Sequence, residues 1–375
     1  MDFWISNYVV CLLLAVFITG MVIPKILLIA FRRNLFDEVN ERKIHRGVIP
    51  RLGGIAFVPT ILFSCFLVLG VGLRLDLSTV QSALDKSFVS MMFLVCALLL
   101  MFLVGIADDL IGVRYRAKFI FQIICGFLLV GSGMWIHNLY GFLGIGEWGV
   151  IPGSLMTIFL IIYVTNAINL IDGIDGLASG VSMIAFIFYS YLYLQAGEYV
   201  MGIICGASVG TLMTFFYYNV FGKSQNHTKI FMGDAGSLTI GLLLSFMSIG
   251  VFDIDTVSLP YGENAMILAI APILLPCLDV VRVFFHRIRR GHNPFLPDKC
   301  HIHHKLLALG LVQWQALIII LITDSVFIIC NLLLSSVLNA TIIVAADIVV
   351  WTLMNMLLTH TIRGREKSEG KNLYE

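Results

Sequence analysis

The chain has 375 residues, of which 59% are hydrophobic and only 13% are charged, and its formal net charge is +1. Soluble domains contain about 25% charged residues, so this composition excludes an ordinary soluble protein. It predicts a single polytopic membrane domain over residues 1–375. The small net charge identifies no partner, and we expect no nucleic acid among the ligands.

Apolar runs of roughly 18 residues or more mark helices that can cross a bilayer. The first run follows Asp2 rather than a basic segment, and it is too long for a signal peptide, so we expect it to be retained. The runs predict an all-α fold of about eleven transmembrane helices, at 4–30, 53–73, 88–107, 119–136, 154–170, 177–194, 200–220, 235–252, 264–285, 314–334 and 340–360.

Lysine and arginine are concentrated in alternate connections between these spans. The connections after odd-numbered spans, together with the C-terminal tail, contain 20 of the 24 basic residues. Cytoplasmic loops of membrane proteins carry such an excess. The pattern therefore predicts an external N-terminus, a cytoplasmic C-terminus and cytoplasmic loops after the odd-numbered spans.

The stretch from Tyr163 to Gly180 joins two apolar runs and contains polar residues spaced three apart, namely Asn166, Asn169, Asp172 and Asp175. The two asparagines share one helix face. Gly173 is a natural helix stop, so we expect Asp172 and Asp175 to lie in a tight loop beyond it. Oxygen ligands and free N–H groups suit Mg²⁺ and phosphate. The alternative is a polar loop that only caps two helices.

Three further acids lie at the ends of predicted spans. Asp108 and Asp109 end the third span, and two adjacent like charges disfavour double ionisation, which indicates a bound cation or a catalytic role unless they are only solvated. Lys118 begins the fourth span, where it could meet a lipid phosphate or simply fix the topology. Asp234 follows Gly233 at the start of the eighth span, as a helix cap or a metal ligand.

The last polar loop, residues 287–310, combines arginines with His301, His303 and His304. A zinc site is the rival interpretation, but the H-x-H-H spacing beside Cys300 lacks the paired pattern of structural zinc sites. Arginine and histidine suit anionic oxygens better. The first loop mixes acids, bases and His45 before the turn at residues 50–54, and lipid contact or topology would also explain it.

Two acids lie inside late apolar runs, Asp324 in the tenth span and Asp347 in the eleventh. Intramembrane acids are functional candidates. Hydrogen bonding to neighbours such as Thr323 is the alternative, and we leave both acids outside the predicted site.

Together these loops bring carboxylates, carboxamides, cations and glycine-rich turns to one membrane face. Mg²⁺ is the simplest partner for so many oxygen ligands, and it usually acts with substrate phosphates. The residues alone therefore predict phosphoryl-type transfer between a soluble phosphate compound and a membrane lipid phosphate. A cation-coupled transporter is the rival class, although transporters place their charges near the membrane midplane.

Five motifs in order carry a family resemblance: PRLGG at 50–54, ADD at 107–109, NAINLIDGIDGLASG at 166–180, FMGDAGS at 231–237 and PDKCHIHHKLL at 297–307. With them the chain resembles the polyprenyl-phosphate N-acetylhexosamine-1-phosphate transferases. The histidine loop is similar to that of the bacterial GlcNAc-type enzymes. The run after Asp109 departs from the family's third acid, because Gly112 stands there.

The resemblance implies a reaction in which a lipid phosphate attacks the β-phosphorus of a UDP-sugar, UMP leaves, and a cell-envelope polysaccharide such as lipopolysaccharide is started. It implies Mg²⁺, with Mn²⁺ as a substitute, at Asn169 and Asp234. Asp108 would position or deprotonate the lipid phosphate with Asp109 beside it, and Lys118 would meet that phosphate. The donor would contact the remaining residues: Asp172, Gly173 and Asp175 in the nucleotide pocket, Phe231 near uracil, and His301, His303 and His304 at the sugar or diphosphate.

The resemblance also implies a location and leaves alternatives. We expect a multi-pass protein of the bacterial cytoplasmic membrane with its active site on the cytoplasmic face, and a homodimer by family analogy. UDP-GlcNAc is the expected donor, with UDP-MurNAc-pentapeptide or UDP-GalNAc as alternatives. A transporter and a membrane phosphatase remain as rival classes, and a covalent or a direct displacement is left open.

Overall fold

The computed structural model describes residues 2–35, 49–75, 78–254, 264–291 and 300–369. Its helices are α1 (Asp2–Arg33), α2 (Phe57–Arg74), α3 (Ser78–Ile111), α4 (Tyr115–Gly131), α5 (Val150–Ile171), α6 (Leu177–Gln195), α7 (Tyr199–Phe216), α8 (Gly233–Val251), α9 (Ala265–Ile270), α10 (Leu274–Arg289), α11 (Ile302–Ala308), α12 (Gln313–Leu334) and α13 (Ala340–Glu369). The predicted helical, polytopic membrane fold is confirmed.

Ten helices in the described residues are long and apolar enough to cross a membrane. The fourth predicted span, at 119–136, is not among these ten and corresponds to α4, which has 17 residues and is roughly 25 Å long at 1.5 Å per residue. Its first turn contacts the C-terminal end of α3 through Lys118. The hairpin that follows α4 reaches the opposite helix ends, at Phe252 and Thr341. Helix α4 therefore runs from one end of the bundle to the other.

A short β-hairpin lies between α4 and α5, where the sequence predicted only a loop. Strands β1 (Asn138–Phe142) and β2 (Ile145–Glu147) pair antiparallel. The turn between them contains Leu143 and Gly144, both with positive φ, which is the conformation that tight hairpin turns require. Tyr140 also has positive φ, and its hydroxyl donates to the Phe252 carbonyl, so the hairpin is fastened over the end of α8.

The predicted span at 264–285 is a broken helix. Helix α9 passes through a 3₁₀ turn at Ala271–Ile273 before α10 begins. Pro272 stands in that turn, and a proline inside a helix removes one backbone hydrogen bond and crowds the preceding turn. One carbonyl beside this turn, that of Ala269, is satisfied from neighbouring helices, because Tyr189 and Ser248 both donate to it.

Helix α8 forms the centre of the bundle and packs against α3, α5, α6 and α9. It is almost fully buried, whereas α12 and α13 expose most of their apolar surface. Because α8 begins with the Gly233–Ser237 segment, this segment lies where the central helix emerges at one end of the bundle.

The two intramembrane acids of α12 and α13 differ in their surroundings. Asp347 accepts a hydrogen bond of 3.0 Å from the Asn331 carboxamide. Asp324 is fully buried, and neither of its oxygens has a hydrogen-bond partner among the described residues. Thr323 instead donates to the Ile319 carbonyl, so the alternative of a hydrogen bond from Thr323 to Asp324 is not supported.

Candidate active site

A lysine joins two carboxylates where α3, α4 and α8 meet. The Lys118 ammonium lies 2.7 Å from Asp108 Oδ2 and also contacts Asp234 Oδ2. The other oxygen of Asp108 accepts the Val113 backbone N–H at 2.6 Å. Each of these side chains keeps part of its surface open to solvent, from 16% for Asp108 to 25% for Asp234. The cluster is therefore accessible to a ligand.

Helix α5 contributes the carboxamides of Asn166 and Asn169 from one face, as the spacing predicted. Asn169 Nδ2 donates to Asp234 Oδ1 at 3.2 Å and to Ser237 Oγ at 2.8 Å. Asn166 lies one turn deeper and donates to Gln122 on α4 at 2.8 Å. Asn169 thus belongs to the acidic cluster, and Asn166 holds α5 against α4.

Asp109 performs a different task from its neighbour Asp108. Its two oxygens accept the backbone N–H groups of Asp234 at 2.7 Å and Ala235 at 2.9 Å. These are unsatisfied first-turn donors of α8, and a carboxylate there also complements the helix dipole. Asp234 is therefore not the cap of its own helix, because the cap function is supplied from α3.

Gly233 is required by this arrangement. Its φ is +71°, and a Cβ at this position would lie 2.2 Å from the Arg51 carbonyl oxygen. The segment beside it is paired with the first motif, since Gly53 N–H donates to the Phe231 carbonyl at 2.9 Å and Phe231 N–H donates to the Pro50 carbonyl at 2.9 Å. The motifs at 50–54 and 231–237 thus form one structural unit that holds Phe231.

The loop between α5 and α6 begins at Asp172 and ends at Gly176, as predicted. Asp175 forms an ion pair of 2.6 Å with Lys229. The Gly176 N–H donates at 2.6 Å to Asn219 Oδ1, and Asn219 Nδ2 donates to the Ile230 carbonyl. The loop is therefore fastened at its far end to the segment that precedes α8.

Asp172 is an exposed residue of this loop, although protein groups lie close to its carboxyl. The low polarity of these surroundings raises the pKa of its carboxyl to about 7, and the negative charge of Asp234 adds to this effect while Arg51 opposes it. The site therefore contains an acid that changes charge near neutral pH.

The three histidines lie at the start of α11, on the other side of the same loop. A Cβ on Gly173 would lie 2.2 Å from His303 Nε2, so only glycine leaves room for this ring. His303 is buried, and neither ring nitrogen has a hydrogen-bond partner among the described residues. Burial, and then the charges of His304 and His301, lower its pKa to about 3. His301 is also buried, and His304 is the most accessible of the three.

Comparison with known proteins gives the family. The model of glycosyl transferase family 4 matches residues 91–252. A protein of Yersinia pestis named undecaprenyl-phosphate alpha-N-acetylglucosaminyl 1-phosphate transferase is 31% identical over 294 residues, which are 78% of this chain and 74% of the relative. The chain belongs to glycosyl transferase family 4.

Two other relatives of this glycosyl transferase extend the likeness. The Escherichia coli (strain K12) protein with the same name is 28% identical over 78% of this chain and 74% of its own length. A Bacillus subtilis (strain 168) protein named as a probable undecaprenyl-phosphate N-acetylglucosaminyl 1-phosphate transferase is 28% identical over 88% of this chain and 84% of its own. The predicted family resemblance is confirmed, and the family match at 91–252 includes the whole acidic cluster.

Three residues that contact the candidate site residues or their loop were not predicted from the sequence. Asn219 lies in an apolar run with no local signal, on a π-helical turn at Tyr217–Phe221. Lys229 was counted only as a topology signal, but it pairs with Asp175. Asp279 is buried in α10 and contacts His301, and its spacing of three from Arg282 was a signal that sequence analysis could have used. His45 and Lys299 of the predicted polar loops lie outside the described residues.

The acidic cluster has the donors that Mg²⁺ uses. Among the described residues no group of three or more histidine, cysteine or acidic side chains has metal-binding geometry. Mg²⁺, however, is commonly held by one or two carboxylates and completes its shell with water and substrate phosphates. Asp234 and the adjacent Asn169 supply hard oxygen atoms of this kind, and Lys118 already places one positive charge between two carboxylates. These residues fit a magnesium ion.

Proposed function

We propose that this glycosyl transferase family member transfers N-acetylglucosamine 1-phosphate from UDP-GlcNAc to undecaprenyl phosphate, releases UMP, and starts a cell-envelope polysaccharide. The observation that carries the proposal is the joining of Asp108, Lys118, Asn169 and Asp234 in one accessible cluster. The chain also covers about three quarters of a Yersinia pestis relative named for this reaction. Lipid and soluble substrates can meet at such a cluster because it lies where the helices end.

The lipid phosphate belongs beside Lys118 and Asp108. The ammonium pairs with the phosphate oxygens, and Asp108 orients the attacking oxygen and accepts its proton if the phosphate is a monoanion. A new bond forms from this oxygen to the β-phosphorus of the donor, and the bond from that phosphorus to the bridging oxygen breaks. UMP leaves with the bridging oxygen. Asp109 keeps the start of α8 in place through the Asp234 and Ala235 N–H groups.

Asn169 and Asp234 are the residues that would hold Mg²⁺. When bound, this ion supplies positive charge that neutralises the diphosphate and the leaving UMP. Among the chain's own residues, Lys118 offsets one of the two negative charges of Asp108 and Asp234, and Asn169 orients Asp234 through a hydrogen bond of 3.2 Å. Positioning by these groups lowers the barrier for in-line displacement.

The nucleotide-sugar belongs over the loop from Asp172 to Gly176. Asp172 and Asp175 shape the nucleotide pocket, with Asp175 fixed by Lys229. Phe231, held between Pro50 and Gly53, offers a ring for the uracil. The donor sugar or diphosphate contacts the histidine group, His301, His303 and His304. The His303 ring packs so closely on the loop that only glycine fits at position 173. This division puts the lipid on the α3–α4 side and the donor on the α5–α11 side.

The test is a transfer assay with purified protein in detergent, undecaprenyl phosphate and Mg²⁺. Radiolabelled UDP-GlcNAc, UDP-GalNAc and UDP-MurNAc-pentapeptide are offered separately, and label in the lipid phase is compared with UMP in the aqueous phase. We expect label from UDP-GlcNAc with an equal amount of UMP. If label is transferred only from one of the other two donors, the sugar of that donor replaces N-acetylglucosamine in the proposed reaction. No transfer from any donor by folded protein would overturn the reaction.

The metal is tested in the same assay. Chelation should stop transfer, Mg²⁺ should restore it, and Mn²⁺ should substitute. Asp234→Ala should raise the Mg²⁺ concentration needed for half-maximal rate at least tenfold, because it removes a carboxylate from the site, whereas an unchanged metal titration would remove Asp234 from metal binding. The wider setting of the proposal is the bacterial cytoplasmic membrane, with this site on the cytoplasmic face.

A further inference from the structure

Asp279 is a buried acid of α10 that does not touch the acidic cluster but organises the histidine group. Only 1% of its side chain is exposed. Oδ1 accepts two bonds from the Arg282 guanidinium, at 3.2 Å from Nε and 2.8 Å from Nη2. Oδ2 lies 2.8 Å from His301 Nδ1 and accepts the Ile302 backbone N–H at 3.3 Å. A buried charged carboxylate needs such a complete set of donors.

This arrangement fixes the protonation pattern of His301. A carboxylate paired with arginine is an acceptor only, so His301 Nδ1 must carry the proton in their hydrogen bond. Of the two neutral tautomers, this bond selects the one that has its lone pair on Nε2. The same logic applies to the aspartate of a Ser-His-Asp triad, which holds a histidine in one tautomer and orientation without touching the substrate.

His301 is connected through His303 to the Asp172–Gly176 loop. Its ring lies parallel to that of His303, with an interplanar angle of 7° and centroids 5.9 Å apart. His303 in turn stands against Gly173. Arg282 also donates to the Cys300 carbonyl. The residues immediately before and after His301, Cys300 and Ile302, are therefore both hydrogen-bonded to α10. A continuous set of contacts therefore runs from Asp279 to the Asp172–Gly176 loop, and it bypasses Asp108 and Lys118.

We propose that Asp279 is the positioning residue for His301: it sets the tautomer and orientation of this histidine and thereby tunes binding of the nucleotide-sugar, not of the lipid phosphate. This inference rests on the proposed function, since it assigns the histidine group to the donor. It predicts that substitution of Asp279 changes the kinetic constants for the nucleotide-sugar. It also predicts that this effect disappears when His301 has been replaced.

The decisive variant is Asp279→Asn, which preserves size. An asparagine can still accept from Arg282 through its oxygen, but its NH₂ group must then face His301, which favours the opposite tautomer. We expect the KM for UDP-GlcNAc to rise about tenfold while the KM for undecaprenyl phosphate changes less than twofold. Asp347→Asn, at another buried and hydrogen-bonded acid, is the matched control and should leave both constants unchanged.

A double-mutant cycle with His301→Gln separates positioning from a structural role. If Asp279 acts through His301, then adding Asp279→Asn to His301→Gln should change the donor kcat/KM less than twofold. Independent, multiplicative losses would overturn the inference, as would an equal rise of both KM values. If Asp279→Asn does not fold, Arg282→Lys, which disturbs the same carboxylate while keeping the charge, takes its place in the cycle with the same expected outcomes.

The transfer assay on the wild-type protein distinguishes failure of the inference about Asp279 from failure of the proposed function. If it transfers label and the cycle is multiplicative, the inference about Asp279 fails while the proposed function stands. If it transfers nothing from any donor, the proposed function fails first, and the inference fails with it.

Discussion

Asp108 is the carboxylate of the acidic cluster that is held from both sides, by the Val113 N–H and by Lys118. Asp108→Asn preserves an oxygen for the Val113 N–H but removes the charge and the ability to take a proton. We expect the transfer rate to fall at least ~100-fold with little change in melting temperature. Initial rates of lipid product formation measure this. A rate within threefold of wild type would remove Asp108 from the chemistry.

The surroundings of Gly173 allow a more specific prediction, because a single ring, that of His303, fills the space beside it. In Gly173→Ala the new Cβ would meet His303 Nε2 at 2.2 Å, a distance at which the loop or the ring must move. We expect a clear drop in melting temperature and in transfer rate. Gly70→Ala is the matched control, since a Cβ there meets nothing within 4 Å.

The partner of this clash can be removed to test its cause. In a His303→Ala background the Gly173→Ala change should cost much less melting temperature, because the ring that blocks the methyl group is absent. Equal losses in both backgrounds would show that the clash with His303 is not the reason for glycine at this position.

At the scale of elements, α8 depends on α3 for its N-terminal cap. Asp109→Ala leaves the Asp234 and Ala235 N–H groups without their acceptor, and loss of a capping side chain costs about 0.5–2 kcal/mol. We expect this loss in the free energy of unfolding, measured by denaturant titration in detergent, together with a higher Mg²⁺ requirement because Asp234 is displaced. Loss of turnover with unchanged stability would instead give Asp109 a direct part in the chemistry.

Helix α11 is fastened to α13 by a buried amine. Lys305 donates to the Asn355 carbonyl, to Asn355 Oδ1 and to Thr359 Oγ1 at 3.0–3.3 Å. Burial, and then the charge of Arg282, lower its pKa from 10.5 to about 7. Between these two values the unfolded chain binds a proton that the folded chain does not, so stability should rise with pH in this window.

The variant that tests this coupling is Lys305→Met. Wild-type stability should increase from pH 7 to pH 9, and the slope should be visibly smaller in Lys305→Met. Lys223→Met, at an exposed lysine, should keep the wild-type slope. Identical slopes in all three proteins would contradict the assignment of this pH dependence to Lys305.

The sequence predicts individual elements well where one physical rule dominates. Apolar runs locate the spans, and the Asp172–Gly176 loop follows from Gly173 and the polar spacing. Element ends are less predictable: α3 begins at Ser78, ten residues before its predicted start, because a polar first segment is still helical when Val80 and Leu84 are buried. The hairpin at 138–147 was missed because its short strands show no alternation of apolar and polar residues. Its other distinguishing feature, the positive φ of the turn residues, is visible only in the structure.

At the scale of the whole molecule, the contacts that build the site link distant parts of the chain. Lys118 and Asp234 are 116 residues apart, and Asn169 and Asp234 are 65 apart. Residue types and motif order predicted that these groups act together, but no local rule predicts that Asp109 caps α8 or that Asp279 holds His301. Such roles depend on helix packing, which the sequence pattern does not specify.

The orientation of the bundle is the remaining whole-molecule prediction. The basic residues of the described chain gather at the end that contains the acidic cluster, and the positive-inside rule puts that end in the cytoplasm. In a cysteine-free background that retains transfer activity, single cysteines at Glu147 and Gln225 report on the two ends, because both positions are exposed. A membrane-impermeant maleimide should label Glu147→Cys in intact cells and Gln225→Cys only after permeabilisation. The reverse pattern would place the site outside, away from the cytoplasmic pool on which a UDP-sugar transferase depends, and would contradict both the topology and the proposed donor.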